Sequence, residues 1–382
     1  MLKKKRGRSI FRIVLVPLLI MFVIEMTVII GIPMGTGVLR QLNRNEELLL
    51  AQHMRYRQSQ LGSTMSASWS HLDQLSASIN REAEKLMARE GCSMEELQES
   101  TALKDELLLQ VTDKLITEMY IRRVNGIYLM LNTVDLAPLR ASGAMPNCSG
   151  LSIQDLDPLS APTEQYRDLL LKRAPSSVVR AKNIPIDTDW RASFVFDPQE
   201  DPAHYDFLYQ PFQAAYEAER VKDPSRFGYW TLASSRWYEN EGEHFATYSQ
   251  PLVLDDGTVY GVLGVELREE YFTELLPHEE LVLGDEGTYA LAKVERKENG
   301  SIEVREILVS SAQLSSEEIK AGTVIRAHGN GARCRIDGEK YYVDARPVSV
   351  YSSDAPYDEE EWMLLGMVKE KVLYKAARTT EY

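Results

Sequence analysis

The residues best suited to chemistry lie between Tyr205 and Leu267. Aromatic side chains crowd the stretch from Tyr205 to Tyr248, among them Tyr209, Trp230, Trp237 and Tyr238. Aromatic walls with a few polar groups are what small-molecule pockets use, and the same side chains also suit a core. Glu266 is an acid inside the apolar run Thr258 to Leu267. It reads either as an edge-strand charge facing water or as a carboxylate facing a ligand. Asp255, Asp256 and Glu266 lie near the aromatics, and paired carboxylates could serve a hydrolase. Asp is also favoured at turns for backbone reasons, which weakens that reading for Asp255 and Asp256. Cys92, Cys148 and Cys334 lie far apart, and the six histidines are scattered. No Cys-x-x-Cys, His-Glu-x-x-His, Gly-x-Ser-x-Gly or phosphate-binding glycine loop is present, so neither a metal nor a cofactor is expected. One disulfide plus a free thiol remains an option for the cysteines.

These groups need elements to hold them. Tyr248 to Leu254 and Thr258 to Leu267 read as two strands joined at Asp256-Gly257, a hairpin signal because Gly reaches positive φ freely. Gly261 and Gly264 inside the return strand predict that something packs closely on the backbone there. Ile127 to Leu131 is apolar throughout and suits a central strand, preceded by a hairpin about Asn125-Gly126. Tyr205 to Ala215 reads as a strand entering a helix.

Charge is unevenly spread along the 382 residues, whose net charge is −14. Residues 1–12 carry six basic side chains and no acid, and residues 13–32 carry only Glu25. The rest of the chain therefore holds −19, which disfavours nucleic acid and anionic lipid surfaces as partners. Residues 13–32 form an apolar run of bilayer length behind a basic flank, which predicts a retained membrane anchor with the N-terminus cytoplasmic and the body extracytoplasmic. A cleaved signal peptide would have a shorter apolar region and small residues after it. Glu25 within that run costs on the order of 2.5–3.5 kcal/mol, and a role in dimerisation would explain it.

From 36 to 90 apolar residues recur at helical steps (Leu61, Met65, Trp69, Leu72, Leu75, Ile79, Ala83, Leu86), predicting one long amphipathic helix. A further helix is expected over Ser93 to Glu118. After a loop-rich region and the aromatic stretch, a smaller unit begins near Glu280. Its strands are expected at Tyr289–Val294, Ile302–Val309, Thr323–Ala327, Lys340–Val350 and Trp362–Val368, with turns at Asn299-Gly300 and Asp337-Gly338.

The hairpin ending in Gly-Val-Leu-Gly-Val-Glu-Leu resembles the end of the membrane-distal module of a double Cache domain, the extracytoplasmic sensor of bacterial transmembrane receptors. The ordered set Leu-Ser-Ile-Gln-Asp-Leu-Asp-Pro (151–158), Pro-Ser-Ser-Val-Val-Arg (175–180) and Trp190 is similar to a subgroup found ahead of diguanylate cyclases and related outputs. The resemblance implies an α+β fold: a transmembrane helix (13–32) after a cytoplasmic tail (1–12), a long stalk helix (36–90), and two PAS-like antiparallel-sheet modules. These would be a membrane-distal module (91–276) and a membrane-proximal one (277–368), followed by a helix leading back toward the membrane (369–382).

In amino-acid sensors of that family an Arg-x-Trp pair holds the ligand carboxylate. A Tyr-x-Asp pair and a later Asp hold its ammonium group. Here Asp206 and Leu208 stand at the first pair, Tyr238 and Asn240 at the second, and Glu266 at the last Asp. The carboxylate clamp is missing and the amine side survives in part, which argues against an ordinary α-amino acid. The expected ligand-binding set is Asp206, Tyr209, Trp230, Trp237, Tyr238, Asn240 and Glu266. The expected partners are a small polar molecule, the membrane through 13–32, and a second copy through the stalk helix. No output domain and no second apolar run follow, so a truncated receptor without catalytic activity is expected. A tethered hydrolase and a purely structural module are the alternatives.

Overall fold

The computed structural model describes residues 10–35, 38–131, 148–158, 166–194, 205–218, 221–233, 245–281, 287–311, 319–329, 331–357 and 361–375. The N-terminal apolar run forms helix α1 (Ile10–Gly35), whose apolar side chains from Val14 to Ile29 are exposed. Among the described residues no helix is long and apolar enough to cross a membrane.

The expected single helix over 36–90 is broken. Helix α2 (Val38–Ser63) passes into a π-helical turn at Thr64–Trp69, the chain bends at Ser70–Leu72, and α3 (Asp73–Glu90) follows. Serine hydroxyls compete with the helical ladder: Ser66 donates to the Gly62 carbonyl at 2.7 Å and Ser70 to that of Ser66 at 2.9 Å. The Arg122 guanidinium donates to the carbonyls of Ser68 and His71 at the bend. Trp69 fills the bend, edge-on to Trp230 and Phe272 with ring centroids 6.3 and 5.2 Å away. The residues of regular apolar spacing are buried as read, from Leu61 to Leu86.

Two helices replace the one expected after Gly91. Helix α4 (Met94–Glu99) opens on a Ser93–Glu96 capping box, and α5 (Thr101–Arg122) opens on Ser100. There is no hairpin at Asn125-Gly126. Instead α5 ends on Arg123 at φ +53°, and Gly126 begins β1 (Gly126–Leu131). Asn125 is the joint: its side-chain oxygen accepts from Arg268 N–H at 2.8 Å and its carbonyl from Asp155 N–H at 2.7 Å.

Strand β1 is the centre of a seven-stranded sheet of order β4-β3-β2-β1-β7-β6-β5. The others are β2 (Ser149–Asp155), β3 (Leu169–Arg173), β4 (Ile186–Arg191), β5 (Tyr229–Ala233), β6 (Phe245–Val253) and β7 (Val259–Arg268). All neighbours are antiparallel except β3 and β4, which are joined by helix α6 (Ser176–Lys182) and run parallel. The β6–β7 hairpin turns at Asp256-Gly257 as read, with Gly257 at φ +93°. One face of the sheet packs Ile127, Leu129, Leu131 and Val265 against α3 and α5. The other packs Tyr128, Met130 and Val262 beneath helix α7 (Asp206–Tyr216). That helix begins at Asp206, so Tyr205 to Ala215 holds no strand ahead of its helix.

Helix α8 (Glu269–Leu275) leads to a second sheet. Strands β8 (Gly287–Arg296), β9 (Ile302–Ser310), β10 (Val324–His328), β11 (Gly331–Ile336), β12 (Glu339–Pro347) and β13 (Glu361–Lys369) close into a barrel. Strand β11 was not expected. The seam is the short β9–β10 pairing, Val324 with Glu303 and Ile325 with Ile302. The turns at Asn299-Gly300 and Asp337-Gly338 form as read, with Asp337 and Gly338 both at positive φ. Small and branched side chains, including Ala290, Ala292, Val304 and Val343, fill the barrel. Its outer surface packs on α2, where Gly366 leaves the space that Met54 occupies.

One charged contact ties α2 to the start of the barrel. Arg57 donates to both carboxylate oxygens of Glu280, which also accepts from the Tyr289 hydroxyl at 2.6 Å. At the other end of the barrel, helix α9 (Glu370–Leu373) returns to α2, and the Tyr374 hydroxyl donates to Glu47 at 2.8 Å. All three cysteines are free, so the disulfide option is not taken.

Candidate ligand-binding site

In an antiparallel sheet, residues opposite one another in register share a face. On the α7 side one rung reads Gln154, Gly126, Glu266, Thr247, Thr231 across β2, β1, β7, β6 and β5. The next reads Ser152, Tyr128, Gly264, Ser249, Tyr229. Each rung has a glycine near its centre. A Cβ on Gly126 would lie 2.6 Å from Glu266 Oε2, so the carboxylate lies over the β1 backbone on the side toward Gln154. A Cβ on Gly264 would strike the Tyr128 ring, which is the close packing that the strand glycines predicted. Gly261 has a different neighbour, the Met130 carbonyl.

These polar groups are withdrawn from water. Gln154, Ser152, Thr247, Ser249 and Glu266 are all buried, Glu266 to 4 % exposure. Glu266 is therefore not an edge-strand charge facing water. Among the described residues the Gln154 amide nitrogen has no hydrogen-bond partner. A buried amide left this way costs free energy that a ligand acceptor would recover. The Tyr128 hydroxyl and the Ser249 hydroxyl share a hydrogen bond. Burial pushes the Tyr128 phenol well up, the Glu266 charge pushes it further, and the Ser249 and Thr247 hydroxyls oppose both. Tyr128 thus stays a neutral donor or acceptor. Phe207 of α7 stands edge-on to it, centroids 5.7 Å apart at 85°. Further along the sheet, the buried Lys172 pairs with Asp187. Burial opposes ionisation of Asp187, but Lys172 and Thr188 together hold its carboxyl below the ordinary value.

The sequence-derived residues separate. Glu266 lies at the middle of the polar face, and Tyr209 is buried in the aromatic cluster above it with Tyr128 and Phe207. Asp206 is in the first turn of α7, where Gln210 donates to it at 3.2 Å. Trp230 is not brought to this face. It sits opposite Tyr248 in the rung that continues through Val265 and Ile127, and it packs on Trp69 with the helices. Trp237, Tyr238 and Asn240 lie outside the described residues. The carboxylate pair imagined for a hydrolase does not assemble from Asp255, Asp256 and Glu266. The two aspartates are exposed at the turn, while Glu266 is seven positions along β7 from Val259, roughly 23 Å of strand. Among the described residues no three acidic, His or Cys side chains come together in a way that could hold a metal ion.

Gln154, Ser152, Thr247, Ser249, Tyr128 and Gly126 are not among the site residues expected from the sequence. Alternation was the available signal for four of them. Ser152 and Gln154 alternate with Leu151 and Ile153, and Thr247 and Ser249 with Ala246 and Tyr248.

No known sequence family and no curated protein matches the chain. Solved structures do. The periplasmic sensory domain of the Campylobacter jejuni chemoreceptor Tlp1 aligns over 87% of this chain and 98% of that one, at 12% identity and a TM-score of 0.43. The Pseudomonas fluorescens chemoreceptor CtaA domain, solved with L-serine, aligns over 79% of this chain and 96% of its own at 12% identity and a TM-score of 0.32. That of Pseudomonas aeruginosa PctB, solved with L-Arg, aligns over 81% and 91% at 14% identity and the same score, 0.32. At these identities and scores the likeness says nothing of this chain's ligand.

Proposed function

We propose that this chain is the extracytoplasmic ligand-sensing part of a bacterial membrane signalling receptor, binding a small polar molecule on the Glu266 face of the seven-stranded sheet. The observation that carries this reading is the pair of buried polar rungs beneath α7, with the Gln154 amide nitrogen unpartnered among them. A structural core would fill such rungs with apolar side chains, because burying polar groups without full pairing is unfavourable. A carboxylate, an amide and hydroxyls around an aromatic lid suit a ligand that offers both donors and acceptors.

In this reading the chain is anchored by α1, with the basic residues 1–12 inside and the sheets outside. The exposed apolar side chains from Val14 to Ile29 support that placement. A second copy pairs along α2, on the side away from the barrel. The distal module comprises residues 91–276 and the proximal one 277–368. Signalling follows if the ligand binds more tightly to one arrangement of α7 over the sheet than to another. The Tyr374–Glu47 contact brings the end of the barrel to the first turns of α2, so a shift in one is felt by the other.

The test is a thermal-shift panel on the full chain in detergent micelles, covering amino acids, polyamines, quaternary amines, organic acids, purines and sugars. Stabilisation by at least one small polar compound supports the sensor. No shift across the panel removes its main support and leaves a structural module.

A further inference from the structure

The opposite face of the same sheet carries a polar residue where none belongs. The rung Gln250, Leu263, Leu129, Leu151 is otherwise leucine, and it faces the helices. Gln250 is fully buried, and among the described residues neither its Oε1 nor its Nε2 makes a well-formed hydrogen bond. A buried amide whose groups are not met in the fold is unfavourable at a position where leucine would carry no such cost.

Gln250 opens into a cavity of about 900 Å³ between α3, β6, the β6–β7 turn and the segment leading to β5. Asp73 stands in its wall. Its Oδ2 is 3.5 Å from His71 Nδ1, while its Oδ1 is shielded from water and makes no well-formed hydrogen bond among the described residues. Burial raises the Asp73 carboxyl and Asp223 adds to this, while His71, the Gln250 amide and Arg122 oppose it, so the amide lies close to the carboxylate. Three more acids, Asp223, Asp255 and Asp256, line the cavity, against Lys222 as the one cation among the described lining. Asp223 is fixed by Ser225 and Asp256 by the Thr258 N–H, so these carboxylates are held at the rim. Asn80 is already used, donating to the Val253 carbonyl at 2.6 Å and accepting from Tyr260 at 2.7 Å, so it shapes the wall. Ala77, Pro224, Val253 and Leu254 supply apolar surface between the half-buried Asp73 and the other three acids.

We propose that this cavity is a second ligand site that takes an aliphatic polyamine. One ammonium group donates to Asp73 Oδ1 and Gln250 Oε1, the alkyl chain lies on Val253 and Leu254, and a second ammonium meets the rim aspartates. A carboxylate ligand is disfavoured by four acids around one lysine. A metal ion is disfavoured because the acids do not converge. The site is on the other face of the sheet from Glu266 and is independent of the reading given above.

Spermidine is the probe, titrated calorimetrically into the full chain in detergent micelles at low ionic strength. The expected result is saturable one-site binding that Gln250→Leu and Asp73→Asn each weaken at least tenfold, with Glu266→Gln unchanged. Gln250→Leu completes an apolar rung and Asp73→Asn keeps its shape, so both variants should melt at or above the native temperature. Absence of saturable binding overturns the proposal. So does an affinity that neither variant alters, which marks loose counterions, or one lost only in Glu266→Gln, which moves the amine to the other face.

Discussion

Gly126 stands opposite Glu266 in the β1–β7 register, and the space its missing side chain leaves is the space the Glu266 carboxylate occupies. An alanine there would bring its Cβ to 2.6 Å from Oε2 and 3.2 Å from the Ile153 carbonyl. Gly126→Ala is therefore expected to destabilise the fold by about 1–3 kcal/mol in urea unfolding. Adding Glu266→Ala should restore part of that loss, because the crowding partner is gone. Strictly additive losses would show that the two side-chain volumes do not compete.

Asp155 at the end of β2 shows the sign that burial gives an acid. Burial pushes its carboxyl up to about 6, the Asp157 N–H partly offsets this, and Asp168 and Asp157 add to it. A raised carboxyl favours the folded state below the ordinary value of 3.8, and that contribution is lost as pH rises through about 6. Asp155→Asn should thus stabilise the chain at pH 7.5 by about 1 kcal/mol, allowing for solvent screening, and have little effect near pH 4. Its Oδ1 can still accept from the Asp157 N–H, now at 2.9 Å. Urea midpoints at the two pH values check this, and equal effects at both would contradict it.

The thiols should divide two to one. Burial pushes both Cys148 and Cys334 up to about 12, while Cys92 is only half-buried. The thiolate is the reactive form. In the native chain an aromatic disulfide reagent should titrate a single fast thiol, lost in Cys92→Ser, and three after denaturation. Rapid modification of all three without denaturant would contradict the burial of β11 and of the Cys148–Phe194 bridge.

The legible parts of this fold are those with a strong local period or a strong turn. The Asp256-Gly257 hairpin, the apolar β1 and the barrel turns form where Gly and Asp demand positive φ or where apolar runs have nowhere else to go. The bend at Ser70 was hidden, because helical periodicity continues from Met65 through Leu72 to Leu75 while serine hydroxyls and Arg122, 52 positions later, break the ladder. Asn125-Gly126 has the composition of a turn, but its glycine answers a side chain 140 residues away. Glu266 could be read as a candidate from its own strand. Its companions could not, because register brings Gln154 and Thr247 beside it and no local pattern encodes register. Trp230 shows the converse: aromatic density alone does not say which face of a sheet a ring takes.

The measurement that bears most directly on the central claim compares wild type, Glu266→Gln and Trp230→Phe against the compound, polyamines excluded, that stabilises the full chain most. At about 100 times its dissociation constant a ligand should add roughly 2.7 kcal/mol to the folded state, a clear rise in melting temperature. A ligand held on the α7 face should lose most of that rise in Glu266→Gln and keep it in Trp230→Phe, whose ring lies on the other face. A rise that survives Glu266→Gln undiminished, or that vanishes only in Trp230→Phe, would contradict the assignment of the site.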